Sequence, residues 1–335
     1  MTKIRIHRYE NEIWGRSHLP FFKKFDEYLR KYFDVDVVNY NVDGKTFSGK
    51  INLQSNIVGF GKTPSISDVE CILENLETND IKVLSFTEFF NHYVCHFVKS
   101  ENCSKVLLAH FNWNHRFHWV ERERSVQNID KVRPWIFLTF KDFDCDLYRE
   151  KRKQITSLQD KLFYLGSGID GYRKTVLEVE SQGFLQQTGN FEFNDYLEKL
   201  ITSKIGLSHY MDLDKYTNPF EFPGEMCYRD IEYMSVGLPF IRIEYKDSLH
   251  DPLIANQHYI SIPREDAYIV YERKKEKGVA DLYIKKYLEI KNNETFLNFI
   301  SQNQIKWFDK NIKSPNKEKL TFDLLELEKW LNYDD

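Results

Sequence analysis

Short apolar runs alternate along the chain with longer segments whose apolar residues recur at helical spacing, which predicts an α/β protein. Residues 4–9 read as a first strand. Residues 21–32 place Phe21, Phe22, Phe25, Tyr28, Leu29 and Tyr32 on one helical face. A β-branched run over 35–40 follows. Residues 67–76 predict a helix, with Glu70 three positions after Ser67 as in a capping box. Residues 81–86, 105–111 and 135–140 have strand length, the last entered through Pro134.

A second series starts near residue 160. A strand over 161–165 runs into Gly-Ser-Gly, and helices are predicted over 171–180 and 193–204. Strand 205–209, helix 224–236 closed by Gly237, strand 238–243 and a short strand 258–262 follow. From about Val279 the chain reads as mostly helical to Leu331. Strands alternating with helices of this length build parallel sheets from βαβ units. Two such series predict two doubly wound domains, with ligands at the carboxyl ends of the strands and in the cleft between the domains. The charged stretch 141–160 marks the boundary. The expected division is 1–150, 151–310 and a C-terminal helix over 311–335 that packs back on the first domain.

Composition narrows the class. The chain has 335 residues, 41% of them hydrophobic and 16% aromatic, which suits a folded, two-domain protein and excludes disorder as its main state. A net charge of −4, from 47 basic and 51 acidic residues, offers no global electrostatic case for nucleic acid. The five cysteines are scattered, with no CxxC pair. They read as reduced thiols of a cytoplasmic protein, and no metal site is expected. The opening Met-Thr-Lys-Ile-Arg-Ile-His-Arg reads as a strand start rather than a signal peptide. No apolar run reaches the roughly 18 residues that a membrane span requires.

Three segments carry candidate chemistry. In Leu162-Phe163-Tyr164-Leu165-Gly166-Ser167-Gly168-Ile169-Asp170-Gly171-Tyr172-Arg173, a strand meets a Gly-rich turn and then a helix start. Glycines let a ligand approach the backbone, a helix N-terminus favours an anion, and Arg173 can fork onto phosphate oxygens. A plain strand-to-helix turn with a surface arginine fits the same residues, which match neither the Walker pattern nor GxGxxG. In the second segment, Pro223-Gly224 opens a helix carrying Glu225 and Arg229. These two are either a solvated pair four residues apart or holders of ribose hydroxyls and a diphosphate. In the third, His258 precedes a short strand, where a lone histidine is usually structural.

In combination these segments resemble the C-terminal half of GT-B glycosyltransferases. They are most similar to the protein O-glucosyltransferase and capsule xylosyltransferase-like family (glycosyltransferase family 90-like). The likeness spans roughly residues 134–310. It rests on the strand ending in Gly166-Ser167 with Arg173 after it, on the Gly224-x-x-x-x-Arg229-x-x-Glu232-x-x-x-x-Gly237-x-Pro239 helix, and on His258-Tyr259-Ile260. Leu165, Tyr228 and Ser261 depart from the family's usual Arg, Ser and Pro. The resemblance implies two facing Rossmann-like domains with an interdomain cleft and a helical C-terminal tail. It implies a nucleotide-sugar donor, UDP-linked, held by Gly166, Ser167, Arg173, Glu225, Tyr228, Arg229 and His258. It implies metal-independent transfer to a hydroxyl acceptor, with arginines and helix N-termini facing the diphosphate. Asp144-Cys145-Asp146 and Asp212-Leu213-Asp214 have Asp-x-Asp spacing but read better as solvated or capping acids.

Inverting transfer needs a carboxylate to take the acceptor hydroxyl proton. Glu88, just after the strand at 81–86, is the first candidate and Glu10, just after the first strand, the second. The aromatic segment Ala109-His110-Phe111-Asn112-Trp113-Asn114-His115-Arg116-Phe117-His118-Trp119 is assigned to the acceptor side, through His110, Trp113, His115 and Arg116. It also reads as a buried aromatic loop. Two other readings stay open: transfer to a hydroxylated base in DNA, with Arg122, Arg124 and Arg133 nearby, and a non-catalytic nucleotide or sugar binding module.

Overall fold

The architecture was analysed in a computed structural model. It describes residues 3–10, 30, 34–41, 57–60, 81–86, 103–110, 132–136, 143–164, 174–186, 193–209, 228–244 and 251–314. The chain divides into two units, one of Met1–Asp142 with Lys317–Asp335 and one of Phe143–Asn316.

The first unit is built on a parallel sheet of β1 (Lys3–Glu10), β2 (Asp34–Asn41), β3 (Ile57–Phe60), β4 (Ile81–Phe86), β5 (Cys103–His110) and β6 (Val132–Ile136). Its order is β2-β1-β3-β4-β5-β6, so the winding reverses at β1. β1 and β4 fall where the apolar runs predict them. β6 starts earlier than expected, covering Val132–Ile136 with Pro134 inside it and paired with Leu108, while 137–140 lie outside the described residues. Proline lacks the N–H a central strand needs, but β6 is an edge strand and loses nothing on its open side.

The second unit runs in the order α1 (Cys145–Gln154), β7 (Gln159–Phe163), α2 (Lys174–Ser181), β8 (Leu185–Gln186), α3 (Phe193–Thr202), β9 (Ser203–Leu207), α4 (Tyr228–Val236), β10 (Phe240–Ile243), β11 (Ile260–Ile262), α5 (Arg264–Ile290) and α6 (Glu294–Phe308). A π-turn over Asp309–Lys313 follows. All its strands are parallel, in the order β8-β7-β9-β10-β11. α5 begins at Arg264, well before the apolar pattern becomes helical near Val279, and it is kinked at Lys275, whose φ is 52°.

Strand register sorts the side chains into two faces. Leu162, Ile205, Leu207, Ile241, Ile243, Ile260 and Ile262 form one, buried under Val176 and Val179 of α2 and Val279, Ala280, Tyr283 and Tyr287 of α5. The opposite face carries Phe163, Gly206, Phe240 and Arg242. Tyr233 of α4 lies against Phe163 and Phe240 there, with ring centroids 6.0 and 5.5 Å apart. Tyr233 also donates from its hydroxyl to the carbonyls of Phe163 and Leu207. Gly206 makes room for that ring.

α1 lies in the charged stretch expected to be a boundary, and it belongs to the second unit. Its buried side is Cys145 and Arg149 rather than an aliphatic stripe. Arg149 Nε donates to the Ser235 carbonyl at 2.7 Å, and its two terminal nitrogens hold Asp309 at 3.1 and 2.8 Å. Arg152 donates to the carbonyls of Ile201 and Ser203. Burial pushes the Cys145 thiol up to about 11, so it stays protonated near neutral pH. No helix among the described residues is long and apolar enough to cross a membrane.

A Cβ on Gly206 would stand 2.7 Å from the Tyr233 ring. Gly206→Ala is therefore expected to destabilise the second unit by about 1–3 kcal/mol through overpacking. Urea denaturation followed by circular dichroism measures this, and an unchanged midpoint would contradict the packing described.

Candidate functional site

In a wound parallel sheet every strand ends on one edge, and each crossover helix begins there. Ligands bind where the strand order reverses. In the second sheet that place lies between β7 and β9. Tyr164 follows β7, Ser208 and His209 follow β9, and the first turn of α4 brings Arg229 and Asp230.

Arg229 lies over Tyr164, its guanidinium carbon 4.0 Å from the ring centroid. This stacking holds a cation against an aromatic face and fixes its direction. One helical turn further on, Glu232 accepts a hydrogen bond from the Tyr196 hydroxyl at 2.6 Å. Burial pushes the Tyr196 phenol well above its ordinary range, with the Glu232 charge acting in the same direction and Arg229 opposing.

Beside this pair lies a buried ionic network. Asp230 is 0% and Arg242 2% exposed. The Arg242 guanidinium donates to Asp230 Oδ2, and the Ser208 hydroxyl donates to Asp230 Oδ1. Arg242 also reaches Ser208 Oγ at 3.2 Å. On the other face, the Tyr283 hydroxyl donates to the Ser208 carbonyl at 3.2 Å and lies 3.1 Å from His209 Nδ1. Arg264, the first residue of α5, donates to the Glu244 carbonyl just beyond β10. Burial lowers its pKa, and the nearby Arg242 charge adds to the effect. Asp230, Arg242 and Arg264 thus lie close together at the carboxyl ends of β9, β10 and β11. Among the described residues, no group of three or more His, Cys, Asp or Glu converges as a metal-ion site would require.

Of the donor-side residues expected from sequence, Arg229 stands at this edge. Tyr228 opens the same helix. Gly166, Ser167, Arg173 and Glu225 lie outside the described residues, in the segments that lead from β7 to α2 and from β9 to α4. His258 is not brought to them. It sits in the turn before β11, at the amino edge of the sheet, because parallel strands all start on the side away from Tyr164 and Ser208. Its Nδ1 accepts the Ile254 N–H at 2.9 Å, a turn-closing role. Asn256, at φ 58°, completes that turn by accepting the Ser261 N–H.

On the acceptor side, Glu10 is the last residue of β1, at the reversal point of the first sheet. His110 is the last residue of β5. Glu88, Trp113, His115 and Arg116 lie outside the described residues. The sequence reading missed Asp230, Arg242, Ser208, His209 and Arg264. A strand reading Phe-Ile-Arg-Ile was the available signal for Arg242, since a cation inside a short buried strand needs a partner.

No known family model matches the chain, and no curated protein matches it either. Solved structures do. HepE from Anabaena, in complex with UDP and glucose, is similar over 98% of this chain and 99% of its own, at 7% identity and a TM-score of 0.55. Sucrose-phosphate synthase from Thermosynechococcus elongatus is similar over 98% and 99%, at 8% identity and a TM-score of 0.57. An alpha-glucosyltransferase in complex with UDP and a 13-mer DNA containing an HMU base is similar over 97% and 100%, at 11% identity and a TM-score of 0.54. The chain has the GT-B fold, an α/β architecture with two Rossmann-like units.

Burial lowers the His258 pKa, while the Asp251 charge opposes the shift. A base whose folded pKa is depressed binds its proton more readily when unfolded. His258 therefore contributes stability that is complete above its ordinary value of about 6.5 and is lost as pH falls toward the folded value. The imidazole signals of His258 in NMR are expected to titrate below that of an unstructured histidine peptide, and titration at or above it would refute the buried neutral turn.

Proposed function

We propose that the protein is a glycosyltransferase that moves a sugar from a nucleoside diphosphate to a hydroxyl acceptor. The observation that carries this reading is the position of Arg229 at the carboxyl edge of the second sheet. There Arg229 is held on Tyr164 at the amino end of α4, where the helix dipole also favours an anion. A diphosphate leaving group accumulates negative charge as the glycosidic bond breaks. A fixed guanidinium and helix N–H groups stabilise that charge without reorganising. In this reading Arg229, with Arg173 and the Gly166-Ser167 backbone, holds the diphosphate and no divalent ion is required. Glu225 faces the ribose and Tyr228 lines the same pocket. His258, at the opposite edge, is left out of the donor set. HepE and the alpha-glucosyltransferase were both solved with UDP, which makes a UDP-linked donor the first to test.

The first unit takes the acceptor. Its hydroxyl oxygen attacks the anomeric carbon as the bond to the diphosphate breaks, and a carboxylate removes the hydroxyl proton. Glu10 fits this role by position, since it ends β1 at the reversal point of the sheet. Glu88 follows the end of β4 by two residues. Either serves an inverting reaction, and a retaining one needs neither. His110, Trp113, His115 and Arg116 supply aromatic and polar surface for the acceptor. The likeness to the protein O-glucosyltransferase and capsule xylosyltransferase-like family rests on the sequence motifs, and it would make that acceptor a glycan or a protein side chain.

A second reading has one specific observation behind it: the alpha-glucosyltransferase of similar fold was solved with modified DNA. Here the acceptor would be a hydroxylated base, bound through Arg122, Arg124 and Arg133 together with the aromatic segment. Binding that weakens steeply with salt would identify it.

A panel of nucleoside diphosphates and their sugars in a thermal-shift assay is expected to show one base stabilising the protein. Arg229→Ala and Arg173→Ala are each expected to weaken binding of that nucleotide by about tenfold or more, the scale of a lost charge-assisted hydrogen bond to phosphate. Calorimetry giving unchanged affinity in both variants would refute the donor site.

A further inference from the structure

We infer that Asp230, Arg242 and Ser208 are positioning residues that aim Arg229 at the donor diphosphate; this inference rests on the donor reading above. The three side chains come from different elements: the first turn of α4, β10, and the end of β9. They meet at one carboxylate, whose Oδ2 takes the Arg242 guanidinium and whose Oδ1 takes the Ser208 hydroxyl. Arg242 closes the triangle by donating to Ser208 Oγ. Asp230 adjoins Arg229 in the chain, so the network fixes the backbone that carries Arg229 above the Tyr164 ring.

Stability alone does not account for such a network. A fully buried ion pair loses the hydration of two charges, and well-packed apolar residues of similar volume usually serve a fold as well or better. The opposite face of the same sheet shows that alternative, an aliphatic layer of Ile and Leu under α2 and α5. A directional ionic contact does something an aliphatic layer cannot: it sets α4 at one rotation and one height relative to β9 and β10. Misplacing reacting groups by about 1 Å can cost on the order of a hundredfold in rate, so the aim of a charged contact to the leaving group matters.

The test separates holding the fold together from aiming Arg229. In the triple variant D230L/R242M/S208A, all three polar groups are replaced by apolar ones, so neither Asp230 nor Arg242 is left facing the other's loss. Its thermal midpoint is expected to stay near that of the parent. Its affinity for UDP, measured by calorimetry on the full chain, is expected to fall by roughly tenfold, the scale of a misaligned charge-assisted hydrogen bond. R242K, which keeps the charge but lacks the planar fork, is expected to weaken UDP in the same direction and serves as the measurement should the triple variant not fold. A folded triple variant or R242K that binds UDP within about threefold of the parent overturns the positioning role and leaves the donor site standing. A parent chain that binds no UDP while R229A behaves identically overturns the donor reading, and this inference with it.

Discussion

The strand order of the second sheet, β8-β7-β9-β10-β11, is the constraint from which the site follows. Because all the strands run parallel, each crossover returns over a face and every strand ends on the same edge. The order reverses at β7, so the crossovers on its two sides leave in opposite directions and a crevice opens between β7 and β9. Tyr164 and Ser208 follow the two strands that border it, and α4 starts beside it. The first sheet, with its own reversal at β1, places Glu10 at the equivalent point by the same rule.

The two faces of the second sheet divide the work. One is an aliphatic layer of strand side chains buried under α2 and α5, which contributes hydrophobic driving force for folding this unit. The other is aromatic and ionic. Tyr233 sits over Gly206 and hydrogen-bonds two strand carbonyls, and Asp230 joins Arg242 to Ser208. Contacts with defined angles make α4 rigid against the sheet, whereas an aliphatic layer tolerates small shifts. The helix that carries Arg229 is the one held by directional contacts.

Much of this was legible in the sequence, and the rest was not for identifiable reasons. The strand over 81–86 and the left-handed Gly237 that closes α4 stand where the residues predict them, because a β-branched run and a glycine C-cap are local signals. The start of β6 is hidden because the strand runs through Pro134, which reads as a break unless the strand is known to lie on an edge. α1 was taken as a boundary because arginine, not leucine, fills its buried side. The start of α5 was hidden by the charged run Arg273-Lys274-Lys275-Glu276-Lys277. Helix-start chemistry leaves Arg229 ambiguous between a solvated pair with Glu225 and a diphosphate contact, and the family resemblance makes it a candidate. Asp230 and Arg242 were not found, since twelve residues and a whole crossover separate partners that meet only in the folded unit. His258 followed the family motif but not the polarity of the sheet.

The formal charge of −4 obscures how this unit distributes its cations. At the amino edge, Arg149 and Arg152 donate to carbonyls near the C-terminal ends of α4 and α3, where the helix dipole is negative. Cation and dipole oppose each other there, and the edge is electrostatically closed. At the carboxyl edge, Arg229 and Arg264 stand at helix N-termini, where the dipole is positive. Cation and dipole have the same sign there, and the network gives Arg242 its own carboxylate in Asp230. Carboxylates of the same first turns accompany them, Asp230 beside Arg229 and Glu265 and Asp266 beside Arg264, so charge at this edge is arranged rather than merely accumulated.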